Sequence, residues 1–297
     1  MTKGLLLYNP YSGDQSIKNK LDYIFERFQS QDIILIPYRM FQSDSFSEFL
    51  LRILKEDRFS FVILSGGDGS LNFITNFWFY NGINLPLGIF PCGTCNDFAR
   101  NIGLSKNPDD WIDIILSGQT RFIDAGCIND HQYFLGNIGG GLFANVSFNT
   151  QNEQKKNLGP VAYYLNALNE LPQIGAFNIK VDTENCHIDR KVILFLVLNG
   201  SNVAGFSNFF KEADNEDSMM DILLFPEAGP MELANLFLKM LSNELAGDRL
   251  ITHLRARECR IQADKQVQIT VDGEKGTCLP VRVRCVHPGL QIFMKKP

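Results

Sequence analysis

The residues of this chain that could carry chemistry are acidic side chains within or beside turns rich in glycine. The clearest case is LSGGDGSLNFITNF at residues 64–77, where Asp68 stands among three glycines between an apolar segment and a helical pattern. Glycines at such a junction let backbone N–H groups approach a phosphate. A carboxylate is favourable there when a divalent cation separates it from the phosphates, and Mg²⁺ prefers oxygen ligands. We therefore expect Asp68 to face a metal ion, while Gly66, Gly67 and Gly69 face phosphates. A simple helix cap is the alternative.

Four further segments combine turn residues with polar or acidic side chains. NPYSG (9–13) and FPCGTCNDFARNIGL (90–104) follow apolar segments, and RFIDAGCI (121–128) has a carboxylate inside an apolar strand, where it needs a partner. VDGEKG (271–276) has acidic residues on both sides of a turn glycine. Surface turns, helix caps and an ordinary β-hairpin are the alternatives for these segments. The candidate side chains in them are Asn9, Ser12, Thr94, Asn96, Asp97, Asp124, Asp272 and Glu274.

The elements that must position these turns alternate in kind over the first 125 residues. Strands rich in Ile, Leu and Val that alternate with helices are typical of a parallel sheet covered on both faces. Ligands of such sheets bind at the carboxyl ends of the strands, which is where the glycine turns fall. We therefore predict a Rossmann-like α/β domain over residues 1–124. Its strands are expected at 4–9, 32–38, 61–65 and 86–90, and its helices at 16–28, 45–56 and 71–79.

After about residue 120, short β segments separated by turn residues dominate, as in an antiparallel sandwich or barrel. A β-rich sandwich domain is therefore predicted over 125–297, and its last strand could return to the first domain. Helical patterns interrupt it at 161–171 and 231–241, and the polar segment 149–158 is predicted to be a loop.

Composition restricts the class of partner. A net charge of −5 argues against a nucleic-acid surface, since phosphate backbones favour clustered Lys and Arg.

The apolar run 192–198 is far shorter than the roughly 20 residues of a membrane-crossing helix, so it predicts a buried strand. Seven scattered cysteines without a visible signal peptide indicate reduced thiols, and Cys92 and Cys95 are expected to pack in a turn rather than bind metal.

The histidines and three phenylalanines complete the set of candidate residues. Each of the four histidines is predicted to be exposed or satisfied by a neighbour, without a functional role. Phe206, Phe209 and Phe210 lie in a polar segment, and they either touch a bilayer or lipid tail or pack onto the second domain.

Taken together, NPYSG, SGGDGS, PCGTCNDFARNIGL, RFIDAG and VDGE resemble, in order and spacing, the diacylglycerol kinase catalytic-domain family, which includes bacterial lipid kinases and is related to sphingosine and ceramide kinases. The resemblance extends from Tyr8 to about Gly276. GGDG alone is shared with NAD kinases, whereas P-x-G-T-x-N-D-F-A-R is specific. The resemblance implies a nucleotide-binding domain of the NAD-kinase and diacylglycerol-kinase type, a β-rich lipid domain, and an active site between them. It also implies transfer of the γ-phosphoryl of ATP to a lipid hydroxyl.

The same resemblance implies a role for each motif residue. Glu274 would be the general base, with Asp272 beside it. Asp68, Asp97 and Asp124 would organise the active-site Mg²⁺, partly through water. The nucleotide would contact Asn9, Ser12, Gly66, Gly67, Gly69, Thr94 and Asn96.

The segment NEDSMMD (215–221) is similar to the D-D-G-x-L-D segment of the family, in which an aspartate and backbone carbonyls hold a second, structural Mg²⁺. The corresponding residues here would be Asp217 and Met219. Ser218 replaces the glycine and Glu216 the first aspartate, so it stays open whether this second ion is kept.

The resulting hypothesis is an ATP- and Mg²⁺-dependent lipid kinase of the cytoplasm that works peripherally at the membrane surface. Its lipid acceptor is not specified by any motif, and a homodimer stays open. An NAD kinase is one alternative, against which the PCGTCNDFAR run argues. A non-catalytic lipid- or nucleotide-binding relative is the other.

Overall fold

The computed structural model describes residues 2–13, 16–41, 45–105, 107–142, 175–201, 209–229 and 251–295, together with part of 231–250. They form two compact units, of which the first comprises Met1–Ile123 with Gly289–Pro297 and the second Asp124–Pro288. The chain therefore leaves the first unit once and returns to it with its last residues.

The first unit is built on a parallel sheet. Its strands are β1 (Thr2–Tyr8), β2 (Ile33–Arg39), β3 (Phe61–Gly66), β4 (Leu87–Pro91) and the end of β15 (Val281–Phe293). Strand β1 lies between β2 and β3, β4 follows β3, and Ile292 of β15 pairs with Leu87 of β4, all in parallel. The predicted α/β unit is thus confirmed.

Helices accompany this sheet because their apolar residues recur at helical spacing. In α2, Phe46 and Leu50 are buried while the charged positions stay exposed, and the sheet strands bury Leu6 and Ile63 completely. The helices are a 3₁₀ turn (Ser16–Lys20), α1 (Leu21–Gln29), α2 (Ser45–Glu56), α3 (Asp68–Asn81), α4 (Asp97–Asn101) and α5 (Pro108–Leu116). The sequence analysis did not predict α5.

The second unit consists of antiparallel strands. In chain order they are β5 (Thr120–Ile128), β6 (Gln132–Phe134), β7 (Asn137–Gly141), β8 (Phe177–Thr183), β9 (His187–Leu198), β10 (Met220–Pro226), β11 (Thr252–Ala256), β12 (Glu258–Ala263), β13 (Gln268–Val271), β14 (Glu274–Cys278) and the first part of β15. Strand β9 is central: its first half pairs with β8, and its second half lies between β7 and β10. Residues 192–198 of β9 are all buried, as predicted for a core strand.

The structure tests the predictions for two of the phenylalanines and for the last strand. Phe209 and Phe210 are 4% and 2% exposed and pack into a core cluster, which confirms the packing alternative for both. The last strand, β15, returns to the first unit, as the sequence analysis considered. Phe206, the predicted helix 161–171 and the predicted loop 149–158 lie outside the described residues, and only part of 231–241 is described.

Candidate active site

The glycine turns of the first unit meet at one edge of its sheet. Tyr8 lies opposite Ser65, and Gly66 lies opposite Pro91, so β1, β3 and β4 end side by side. The N–H of Asn9 donates to the carbonyl of Ser65 at 2.9 Å, and the N–H of Cys92 to that of Gly66 at 2.9 Å. The first three sequence motifs are therefore brought together, as expected at the carboxyl ends of parallel strands.

Asn9 shapes the first turn and ties it to the second motif. Its Oδ1 accepts the N–H of Tyr11 at 3.0 Å, and its Nδ2 donates to the hydroxyl of Ser70 at 3.2 Å. Ser12, which is half-buried, donates its N–H to the carbonyl of Asn9 at 3.3 Å. Gly13 has a φ of +53°, and a Cβ there would lie 2.1 Å from the carbonyl oxygen of Cys92, so the turn requires glycine at this position.

The second and third turns touch each other through their backbones. A Cβ on Gly93 would lie 2.5 Å from the Cα of Gly67, and one on Gly67 would lie 2.9 Å from the Cα of Gly93. Asn96, at a φ of +51°, accepts the N–H of Gly93 at 2.8 Å and donates to its carbonyl at 2.9 Å. Asn96 thus holds the turn in shape, while Thr94 and Gly69 are exposed.

Two of the predicted metal carboxylates lie at the starts of helices in this unit. Asp68 is the first residue of α3, and its Oδ1 accepts the N–H of Phe98 through a long hydrogen bond of 3.4 Å. Asp97 is the first residue of α4, and its Oδ1 lies 3.6 Å from Nη2 of Arg100. The positive end of α3 favours anions beside Asp68. One crevice is lined by Gly66, Gly67, Asp68 and Asn96.

The third predicted metal carboxylate, Asp124, belongs to the second unit and is 0% exposed. Its Oδ2 accepts the N–H of Ser218 at 2.7 Å, and its Oδ1 lies 2.6 Å from Nδ1 of His287. Its backbone N–H donates to Asn215 at 2.7 Å, and its carbonyl accepts from Asn199 at 2.8 Å. The partner that a buried carboxylate requires is therefore a histidine, which the sequence analysis had taken to have no role.

Asn199 is a second residue that sequence reasoning missed. It is fully buried, and its Nδ2 donates to the carbonyls of Asp124 and Leu135. Its Oδ1 has no hydrogen-bond partner among the residues that the structure describes. A buried acceptor of this kind calls for a water, an ion or a ligand. The available signal was the polar residue that directly follows the apolar run 192–198.

The segment VDGEKG forms a hairpin between β13 and β14. Val271 pairs with Glu274, so Asp272 and Gly273, at φ +48° and +83°, make a two-residue turn. The carboxylate of Asp272 accepts three backbone N–H groups at 2.9–3.1 Å, from Leu135, Gly136 and Asn137. Asp272 therefore anchors the hairpin, whereas Glu274 at the start of β14 is exposed.

The acidic loop before β10 contains the residues proposed for a second ion. The N–H of Met219 donates to Oδ1 of Asp217 at 2.9 Å, and the guanidinium of Arg255 contacts Oδ2. Burial raises the pKa of Asp217 above its usual range, opposed by the N–H of Met219 and the charge of Arg255.

Within the described residues, no group of three or more His, Cys, Asp and Glu side chains is arranged to hold a metal ion by itself. A Mg²⁺ ion bound through Asp68 or Asp124 would accordingly keep water ligands, as Mg²⁺ commonly does. Cys92 lies 3.2 Å from the hydroxyl of Ser65, and Cys95 is exposed.

Comparison with known proteins identifies the family of the chain. The family described as diacylglycerol kinase catalytic domain matches residues 3–128, and the one described as YegS C-terminal NAD kinase beta sandwich-like domain matches residues 136–294. Between them, these matches span almost the whole chain. The chain belongs to the diacylglycerol kinase catalytic-domain family. The prediction of a kinase of this type is confirmed, and so is the predicted β sandwich of the second unit.

Individual relatives agree with this assignment. The diacylglycerol kinase of Bacillus subtilis (strain 168) is 27% identical over 300 residues, covering 100% of this chain and 97% of the relative. That of Staphylococcus carnosus (strain TM300) is 25% identical and covers 98% and 94%. A solved diacylglycerol kinase from Bacillus anthracis str. Sterne superposes with a TM-score of 0.80 at 22% identity, covering 99% of this chain and 97% of that one, which supports the fold.

In the part of the chain that the structure describes, no helix has both the length and the apolarity to cross a membrane.

Proposed function

We propose that this member of the diacylglycerol kinase catalytic-domain family transfers the γ-phosphoryl group of ATP to the hydroxyl of a membrane lipid, with Mg²⁺ as cofactor. Diacylglycerol is the first acceptor to test, since the relatives carry that name. The observation that supports the proposal is the single sheet edge at which three glycine turns lie side by side, with Asp68 in the second of them. Transfer of a phosphoryl group requires mainly such positioning and charge neutralisation.

The first unit would bind the nucleotide. Backbone N–H groups of Gly66, Gly67 and Gly69 and the positive end of α3 are suited to phosphates. Further contacts would come from Asn9, Ser12, Thr94 and Asn96. Mg²⁺, when bound, would neutralise the phosphate charge beside Asp68, Asp97 and Asp124.

The second unit would contribute the base. Glu274 would take the proton of the lipid hydroxyl while the hydroxyl oxygen attacks the γ-phosphorus and ADP departs with the bridging oxygen. Its exposure leaves the carboxylate accessible to a substrate. Asp272 would fix the position of Glu274, because it anchors the turn that precedes it through three backbone hydrogen bonds.

The peripheral membrane location is part of the proposal, because a lipid acceptor resides in a bilayer. The cytoplasm is the expected compartment, since the seven cysteines are scattered along the sequence, which is typical of reduced thiols.

The test is a transfer assay with γ-labelled ATP and Mg²⁺, offering diacylglycerol in mixed micelles, total membrane lipid and, separately, NAD. Label in an organic-soluble product supports the proposal, and its mass identifies the acceptor. Label on NAD alone would establish the NAD-kinase alternative instead. Bound ATP without transfer to any acceptor would favour a non-catalytic relative.

The proposed base is tested by Glu274→Gln, which keeps the size of the side chain. Loss of a general base lowers kcat by about 100-fold or more, with ATP affinity unchanged. The matched control is Glu184→Gln, an exposed glutamate in the β8–β9 turn of the same unit. A wild-type rate for Glu274→Gln would refute the assignment.

A further inference from the structure

The loop before β10 departs in sequence from the metal-binding segment it resembles, and its central carboxylate contacts an arginine. The carboxylate of Asp217 is held on both sides, with the N–H of Met219 on Oδ1 at 2.9 Å and the guanidinium of Arg255 on Oδ2. Only 26% of the Asp217 side chain is exposed, so this ion pair is partly shielded from water.

Strand register brings the basic residues to this position. Strands β10 and β11 are antiparallel, with Asp221 opposite Arg255 and Leu223 opposite His253. Because alternate residues of a strand share a face, Arg255 and His253 lie on the same face as Asp221. Oδ1 of Asp221, which is 1% exposed, lies 2.6 Å from Nε2 of His253 and 3.5 Å from Nε of Arg255.

These residues do not fit a Mg²⁺ site. Mg²⁺ requires about six oxygen ligands at about 2.0–2.1 Å, and a guanidinium in contact with the key carboxylate occupies a ligand position. The positive charge of this guanidinium also repels a divalent cation. Ser218 also has a φ of +63°, a conformation that favours the glycine it replaces.

We propose that Arg255, assisted by His253, replaces the second, structural metal ion in this chain. The loop then keeps its fold without a divalent cation. It delivers the N–H of Ser218 to Oδ2 of the buried Asp124 at 2.7 Å. Arg255 is accordingly a positioning residue, which acts on Asp124 through Asp217 and Ser218.

The test measures thermal unfolding of the nucleotide-free protein in Mg²⁺ and in EDTA, so it does not depend on phosphoryl transfer. The wild type is expected to unfold at the same midpoint in both. Arg255→Ala lowers the midpoint by about 3–6 °C in EDTA, and millimolar Mg²⁺ restores part of this loss because Asp217 then faces no guanidinium. Arg260→Ala, at an exposed arginine of β12, is the control, and it should leave the unfolding midpoint unchanged both in Mg²⁺ and in EDTA.

A direct count of bound Mn²⁺ by electron paramagnetic resonance provides the second measurement. In Asp68→Asn protein, which lacks the proposed active-site ligand, no tight Mn²⁺ is expected. The proposal would be overturned if Asp68→Asn protein still bound Mn²⁺ tightly and if a second substitution, Asp217→Asn, abolished that binding. A wild-type midpoint that falls in EDTA as far as that of Arg255→Ala would overturn it too. If Arg255→Ala does not fold, the wild-type midpoints and the Mn²⁺ count decide the question.

Discussion

Replacing His287 by alanine removes one of the two groups that hold the side chain of Asp124. Oδ1 of this carboxylate lies 2.6 Å from Nδ1 of His287, while Oδ2 accepts the N–H of Ser218 at 2.7 Å. Asp124 is 0% exposed, so the change leaves half of a buried carboxylate without its protein partner.

The expected loss of unfolding free energy depends on how exposed the side chains of Asp124 and His287 are. A hydrogen bond to a charged group contributes about 1.5–3 kcal/mol, and more is lost when the charge stays buried and unpaired. The His287 side chain is 46% exposed, however, so water can enter the space that alanine leaves and compensate part of the loss. We therefore expect His287→Ala to lower the free energy of unfolding by about 1–2 kcal/mol.

The assay is urea unfolding followed by fluorescence and circular dichroism, with coincident transitions as a condition for the comparison. His287→Asn keeps a donor near the position of Nδ1, so it should lose less than half of the unfolding free energy that His287→Ala loses. His131→Ala, at an exposed histidine beside Asn129, is the control for removal of an imidazole. Equal midpoints for wild type and His287→Ala, or equal losses for His287→Ala and His287→Asn, would refute the reasoning.

Three further changes test the geometry of the two units. Gly93→Ala places a Cβ 2.5 Å from the Cα of Gly67, and we expect it to cost about 1–3 kcal/mol of unfolding free energy and to weaken ATP binding, measured by urea unfolding and calorimetry. Asp272→Ala leaves three backbone N–H groups without their acceptor, and a loss of about 2–3 kcal/mol in the same unfolding assay is expected. Burial, with Asp124 and Asp217 nearby, raises the pKa of Cys285 to about 12, so about one thiol in ten thousand is ionised at pH 8. Mass spectrometry after brief alkylation of the native protein should therefore find Cys95, which is exposed, modified far ahead of Cys285.

Local sequence pattern was sufficient for most elements of the fold. The apolar spacing of α2 predicted its full range, Ser45–Glu56, and the apolar run 192–198 predicted a buried strand, which is the second part of β9. Helix α5 was missed although Asn107 caps it and Pro108 occupies its first position, which are recognised start signals. Strand β14 was expected only as part of the hairpin alternative for VDGEKG, because its residues are exposed or half-buried, and pairing with β13, not burial, defines it.

The candidate site was predictable only as far as each motif is local. The glycine turns and Asp68 fall where strands end, and that position follows from the α/β pattern. The partner of Asp124 is 163 residues away, and no local pattern connects a histidine at that distance to a carboxylate in another strand. Asn199 and Arg255 reach the same region only through the pairing of β9, β10 and β11.

The structure also separates two kinds of carboxylate that look alike in sequence. Asp68 and Asp272 accept backbone N–H groups, which orient a carboxylate while leaving its formal charge in place. Asp217 and Asp221 contact the side chains of Arg255 and His253, and the full charge of the guanidinium offsets theirs. A divalent cation gains most from the first kind, because no side-chain cation competes for its ligand. By this criterion Asp68 suits a metal ion better than Asp217 does, because the loop before β10 already contains its own cation, Arg255.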